Sequence, residues 1–441
     1  MVNLFIFNKS YFYLMDINLG KKIAIYLFSF IAISYFLILQ QNISVACLFI
    51  FCEFTLFYRK CNRENLLLGF VVGVVITIIF YEYNIIKYGN YYYLGAFSDD
   101  YLFEIDSKFF YQDYGLNFFH IYDSIGILHN SAGYVYVLAL LRGFGDIFDG
   151  YNVFLPKVLN VFVLQLIAYY IFMTGVKIYN LPRNRVCFVA LIFSIYPVLL
   201  NIASEVFRDT FVALFFIYVY YSLNQRERKF INIILAFAIC VVLFFFRAFA
   251  SYILLLLIIF YLCRVKNMRQ LIGVAFIGMF CVMSQFGDVL GRILHTVEGY
   301  NELNGERLGG IGSQIFSLPL YYGFFPRVTF MVLNPIPNLS NLQAMFAGIS
   351  CFLQIFCVPF VWSALINKNV DIKLKITFIV LFLGVALSTA NFRHVTMYLP
   401  FAFLLFMFGC NDLRFNTQSY YVFLFCSFVF YIISLGLIFV R

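Results

Sequence analysis

Four arginines interrupt strongly apolar sequence. Arg208 lies in NIASEVFRDT, Arg247 in VVLFFFRAFASY, Arg327 in YGFFPRVTFMVLNPIP and Arg393 in STANFRHVTMYLP. An uncompensated arginine at the centre of a bilayer costs about 2.5–3.5 kcal/mol on insertion scales. Each therefore needs an anion or a route to water. Singly, each could snorkel to lipid phosphates. Together, each in a short polar interruption, they point to an anion site, because a planar guanidinium fork grips two phosphate oxygens at once. Glu205 stands i,i+3 from Arg208 and i,i+4 from Asp209, spacings that would let all three share one helical face. That is either a local ion pair at a helix end or an arginine held by acids for a ligand. His394 follows Arg393 and is a candidate base.

A second group lies in YYYLGAFSDDYLFEIDSKFFYQDYG, where Asp99, Asp100, Glu104, Asp106 and Asp113 sit among aromatic residues. One reading is an amphipathic helix along the membrane interface, rings down and acids solvated. The other is an acidic, aromatic wall for a sugar, with Asp99 or Asp100 as general base. Two adjacent acids alone are weak grounds for a metal. No CxxC, zinc-spaced His/Cys cluster, P-loop or GxGxxG appears, so neither metal nor cofactor is expected.

The elements that must hold these residues follow from composition. Of 441 residues, 63% are hydrophobic and 12% charged, and the mean hydropathy is +0.91. Ordinary soluble domains are about 45–50% apolar and about 25% charged. The excess excludes a soluble enzyme, a nucleic-acid-binding module, a disordered chain and a fibrous protein. Eleven cysteines in this length do not make a disulfide scaffold. The expected class is an all-α polytopic membrane protein, one transmembrane domain over 1–441.

A span needs about 20 mostly apolar residues. The runs at 23–40, 43–58, 66–86, 153–175, 186–203, 210–223, 230–246, 248–263, 270–286, 341–365, 374–390, 397–410 and 419–440 qualify, giving about 11–13 transmembrane helices. The first is expected to be retained, not cleaved as a signal peptide, because no small-residue cleavage site follows it. The pairs 230–246/248–263 and 374–390/397–410 read as tight hairpins or re-entrant helices.

The basic clusters RKCNR, LPRNR, NQRERK and RVKNMR recur in every second loop. By the positive-inside rule the N-terminus is inside and two long segments, 87–152 and 287–340, are outside. The four histidines, His120, His129, His295 and His394, then lie outside and the cysteines do not. In a bacterium that outside is the oxidising periplasm, which places the chain in the inner membrane with its site facing the periplasm. No internal repeat is evident, which weakens a transporter reading.

With no nucleotide fingerprint, the phosphate is expected on a lipid reached from the outer leaflet. Arginines would stabilise the charge left on it as a sugar–phosphate bond breaks, without a metal. The chain also resembles a family. Ser98-Asp99-Asp100-Tyr101 is followed by Gly133-Tyr134-Val135-Tyr136, Arg142-Gly143-Phe144-Gly145 and Pro156-Lys157-Val158-Leu159-Asn160. Next come Tyr196-Pro197, Ser204-Glu205-Val206-Phe207-Arg208-Asp209 and Phe246-Arg247-Ala248. Asn334-Pro335-Ile336-Pro337 and Asn391-Phe392-Arg393-His394 before Met397-Tyr398-Leu399-Pro400 complete the order. In that order, over about residues 98–400, it resembles Wzy-type O-antigen polymerases and related GT-C membrane glycosyltransferases.

The resemblance implies transfer of a glycan from undecaprenyl pyrophosphate to a lipid-linked repeat unit. Asp99, Asp100 or His394 would serve as base. Arg208, Arg247, Arg327 and Arg393 would sit on the pyrophosphate, with Glu205 and Asp209 in support. A chain-length regulator and a flippase are the implied partners, and nucleic acid is not. Two alternatives stand: a GT-C transferase using a polyprenyl-phosphate sugar, and a lipid-linked oligosaccharide flippase. A flippase should line mid-span with charge, whereas here the unusual charges gather at one face.

The topology is directly testable. Reporter fusions should report the NQRERK loop inside and residues 87–152 and 287–340 outside. Periplasm-only activity at Arg226 would overturn the assignment.

Overall fold

The computed structural model describes residues 17–59, 62–92, 99–126, 131–225, 229–262, 315–316, 318, 320–333, 341–388, 392–410, 421–429 and 431–432, and these contain helices and no strand. The expected span 270–286, half of 419–440, and most of the outer segment 287–340 lie outside the described residues. So do His129, His295, the NPIP motif at 334–337, and Arg226 with Arg228.

The first three helices are α1 (Ile17–Ser34), α2 (Ile43–Phe57) and α3 (Arg63–Tyr88). The segment expected along an interface is helical, α4 (Asp99–Tyr114), followed by the short α5 (Ile121–Ile125) and by α6 (Ala132–Asp146). The central run is α7 (Phe154–Met173), α8 (Arg183–Ser194), α9 (Pro197–Ala203) and α10 (Asp209–Asn224). Then come α11 (Lys229–Phe246) and α12 (Ala248–Leu262), α13 (Leu320–Leu333), α14 (Leu342–Ile366), α15 (Ile372–Ser388) and α16 (Leu399–Gly409). A 3₁₀ turn, Phe392–Met397, links the last two.

Local chemistry sets these boundaries. Asn42 and Asn341 cap α2 and α14 by accepting from the backbone N–H of Val45 and Ala344, satisfying donors with no partner in the helix. Gly89 ends α3 with φ +69°, a left-handed closure that costs glycine little.

α7 is the hub. It packs against α2, α3, α8 and α10, and α14 packs against α16 and α9. Most buried apolar side chains form one continuous core around it. Five described helices are long and apolar enough to cross a membrane: Gly20–Leu39, Arg63–Tyr88, Phe154–Ile178, Lys229–Phe246 and Leu342–Ile366.

The expected count of 11–13 is not reached by the described helices. Run 186–203, read as one span, is α8 and α9 bent by 52°. Pro197 at the start of α9 cannot donate the hydrogen bond that would continue α8. Counting that pair as one gives six. α2, α10, α12, α15 and α16 have 11–17 residues, or about 17–26 Å at ~1.5 Å per residue, short of the about 30 Å of bilayer hydrocarbon.

The helix ends sort by charge. At one end, Lys21 donates to Asn65 (2.7 Å), Arg59 lies over Tyr169 and Lys373 over Tyr261. This basic end joins α2 to α3 and α7 to α8. The opposite end gathers the start of α4, the start of α7, the α9–α10 junction, the α11–α12 junction, the start of α14 and the 3₁₀ turn, as the contacts below show.

Close packing sets a first stability prediction. A Cβ on Gly409 would run into the Phe360 carbonyl where α16 crosses α14, whereas one on Gly20 meets nothing within 4 Å. Overpacking costs about 1–3 kcal/mol. Gly409→Ala should lower the melting temperature of the detergent-solubilised protein, and Gly20→Ala should not. Equal melting of the two would remove the α14–α16 contact from the fold's determinants.

Candidate functional site

Residues 204–208, between α9 and α10, are a turn. This corrects the expectation that Glu205, Arg208 and Asp209 share one helical face. With no helix across the break, Glu205 turns into the core and Asp209 opens α10 toward other arginines. Glu205 is fully buried and accepts from Lys157 Nζ at 2.5 Å and from Gln343. Asn160, one turn along α7 from Lys157, donates to the backbone carbonyls of Glu205 (2.6 Å) and Phe207 (3.0 Å). Those carbonyls have no helical partner, so a side-chain donor must satisfy them once they are buried. α7 thus clamps both the side chain and the backbone of the turn.

The turn presents Arg208 and Asp209 to a second layer. Asp209 Oδ1 accepts from Arg247 Nη1 at 3.1 Å, and Arg247 Nη2 lies 2.6 Å from His394 Nε2. His394 Nε2 is 3.8 Å from Asp209. Arg393 donates to Asp99 at 2.5 Å. Aromatic faces support the guanidiniums: Arg393 is 4.3 Å above Phe207, and Arg208 is 5.6 Å from the Phe103 ring centre. Such stacking holds a guanidinium by its flat face and leaves its edge for other partners.

The electrostatics follow from crowding. Burial, and then the guanidiniums of Arg247, Arg393 and Arg208, hold His394 well below its ordinary range, so the imidazole is neutral. Its Nε2 accepts from Arg247, which puts the proton on Nδ1. Nδ1 is buried with no hydrogen-bond partner. Among the described residues His394 Nδ1 therefore has no acceptor, and its accepting nitrogen is occupied by Arg247. Burial, with Arg247 next, also pushes Arg208 down, against the attraction of Asp209.

The two adjacent aspartates diverge. The Asp99 side chain is 52% exposed in its pair with Arg393. Asp100 is buried, near enough to act on both Arg393 and Glu205. One turn further along α4 is Glu104, buried, with one carboxylate oxygen lacking a hydrogen bond. Burial raises its pKa. Arg142 of α6 donates to the Glu104 carbonyl (2.8 Å) and to Ser107 Oγ (3.0 Å), and so fixes α4 to α6.

The structure thus brings together Asp99, Arg208, Asp209, Arg247, Arg393 and His394, from α4, the α9–α10 turn, the α11–α12 break and the 3₁₀ turn. Arg327 has other work. Its Nη atoms donate to the carbonyls of Leu387 (3.2 Å), Phe316 (3.0 Å) and Leu318 (2.9 Å), and only 1% of it is exposed. With both Nη atoms on backbone carbonyls, Arg327 ties α13 to its neighbours and stands apart from the other three arginines. Lys157, Asn160 and Gln343 were not read as site residues. Lys157, a lone cation opening the apolar run 153–175, carried the same signal as the arginines. Among the described residues no group of three or more His, Cys, Asp or Glu is placed to hold a metal ion.

These features define a helical, membrane-embedded protein with a guanidinium–carboxylate cluster at one end of its bundle. No family model, curated protein or solved structure matches the chain.

The buried pair generates a test. Removing one partner of such a pair costs about 3–5 kcal/mol, because the other charge stays buried, while replacing both with apolar residues is often neutral. Lys157→Met and Glu205→Met should each lower the melting temperature in detergent sharply, and the double variant should recover much of the loss. Single variants melting with the wild type would show that the turn is held by Asn160 alone.

Proposed function

We propose that the protein is a glycosyltransferase of lipid-linked sugars, moving a glycan from a polyprenyl pyrophosphate to the next lipid-linked repeat unit, and so a surface-polysaccharide polymerase. The reading includes an inner-membrane location with the cluster facing the periplasm. The observation that carries it is the convergence of Arg208, Arg247 and Arg393 from three separate chain segments. Asp209 and Asp99 hold Arg247 and Arg393 at the end of an apolar bundle, and an anion shared among the three guanidiniums would meet charge that is costly in such a setting.

In the proposed reaction the acceptor hydroxyl oxygen bonds to the anomeric carbon. The bond from that carbon to the pyrophosphate oxygen breaks, and the pyrophosphate keeps the electron pair. The hydroxyl proton passes to a carboxylate. Arginine edges pointed at the pyrophosphate bind its charge more strongly as the bond breaks, which is where binding lowers a barrier. Asp99 suits the base, since it is solvent-accessible and a phosphate oxygen arriving at Arg393 would release it. Asp100, buried beside it, suits an electrostatic support.

Arg208→Ala and Arg393→Ala should each abolish polymer, leaving a single repeat on the anchor, at wild-type abundance in the membrane. Lysine at either position should rescue poorly, because it lacks the planar fork. Normal glycan ladders from both alanine variants would remove the arginines from the chemistry. A ladder of altered sugar composition would instead indicate a single-sugar transferase. Chelation by EDTA should leave polymerisation in isolated membranes intact; loss of activity restored by Mg²⁺ would make Asp99 and Asp100 metal ligands.

A further inference from the structure

At the basic end, α1 and α2 each pack on α3 and diverge from each other. Between them is a cleft of about 550 Å³. One stripe of α1 lines it, Lys22, Ile25, Tyr26 and Ser29, and so does one stripe of α2, Ile50, Glu53, Phe54 and Phe57. Both run i, i+3, i+4, i+7, so each is a single helical face. The first turn of α3 closes the bottom with Arg63, Glu64 and Leu67. Ser29 Oγ donates to Glu53 at 2.6 Å and ties the walls together.

The apolar walls are open. Tyr26 is 74% exposed and Phe54 56%, which suits acyl chains. The polar lining is not simply basic. Two cations, Lys22 and Arg63, are matched by two carboxylates, Glu53 and Glu64. A phosphate alone would meet as much negative charge as positive. A headgroup carrying both a phosphate and an ammonium complements the set, with phosphate on Lys22 and Arg63 and ammonium on the carboxylates. Glu53 has further acceptor capacity beyond the Ser29 bond, since a carboxylate offers about four lone-pair sites. A primary ammonium can donate N–H bonds to that carboxylate, whereas a quaternary ammonium has none to donate.

We propose that this cleft binds an ethanolamine phospholipid from the leaflet at the basic end of the bundle. The site is separate from the arginine cluster and does not depend on the glycosyltransferase reading. Basic residues at a membrane surface contribute enough that losing one weakens binding by about fivefold.

The test is native mass spectrometry of the purified full chain in detergent, titrated with phosphatidylethanolamine, phosphatidylcholine or phosphatidylglycerol of the same acyl composition. Phosphatidylethanolamine should be retained most strongly. Arg63→Ala should weaken its retention about fivefold, and Glu53→Gln should abolish the preference over phosphatidylcholine while the protein remains folded. Equal retention of all three lipids, or preference for phosphatidylglycerol, would overturn the proposal. So would a phosphatidylethanolamine preference untouched by both substitutions.

Discussion

A charge inside an apolar bundle must be matched where it stands, and the rest of this structure is arranged around one such match, Lys157 with Glu205. Both side chains are essentially without solvent. A buried ammonium or carboxylate alone costs several kcal/mol, so the start of α7 and the α9–α10 turn cannot separate. Gln343 brings the start of α14 to the same carboxylate, and Asn160 takes the turn's carbonyls. Three helix ends are thereby brought to one point. The turn that carries Arg208 and Asp209 is non-helical because its hydrogen bonds go to α7, and its arginine can reach partners from distant segments only because it is non-helical.

Much of this was legible in the sequence, and the exceptions have physical reasons. Apolar runs and the alternation of basic loops give the helices and their two ends, because burial in lipid tolerates little else. The cost of an arginine in apolar sequence drew attention to Arg208, Arg247 and Arg393, which the structure brings together. The same cost also pointed to Arg327, but an arginine can be met by backbone carbonyls, and here those come from residues 316, 318 and 387. No local pattern announces such a partner. The Glu205 error is of another kind. Helical spacing is evidence of a shared face only if the helix continues, and here it stops between α9 and α10.

Among the described residues, two of the expected spans are shorter or more bent than their apolar runs. Hydropathy records whether a segment is apolar, not whether it is straight or long enough. Pro197 splits one run, and α16 ends at Gly409 where Phe360 of α14 leaves no room for a side chain. In each case a tertiary contact or a missing backbone donor overrides composition. Half-length helices are stable in a membrane where neighbouring protein or water satisfies their ends. The arginine cluster collects several such ends: the start of α10, the break between α11 and α12, and the turn before α16.

The two ion pairs nearest the cluster make opposite demands. Lys157–Glu205 is sealed, so breaking it leaves an uncompensated charge, at about 3–5 kcal/mol. Arg393–Asp99 has the same contact distance, but the Asp99 side chain is 52% exposed. When this pair opens, water takes over the half-exposed carboxylate, whereas the Arg393 guanidinium, 14% exposed, needs another anion. Identical geometry therefore gives a fixed tie at depth and an exchangeable one at the rim. Arg393 keeps its place even with the pair open, since it also stacks on Phe207, whose carbonyl Asn160 holds. An incoming phosphate would then displace only the carboxylate, at little cost, and would meet an arginine already oriented. Under the proposed reading, binding the donor and freeing Asp99 to accept the acceptor's proton are one event, so the base leaves its arginine only when the sugar to be transferred has arrived.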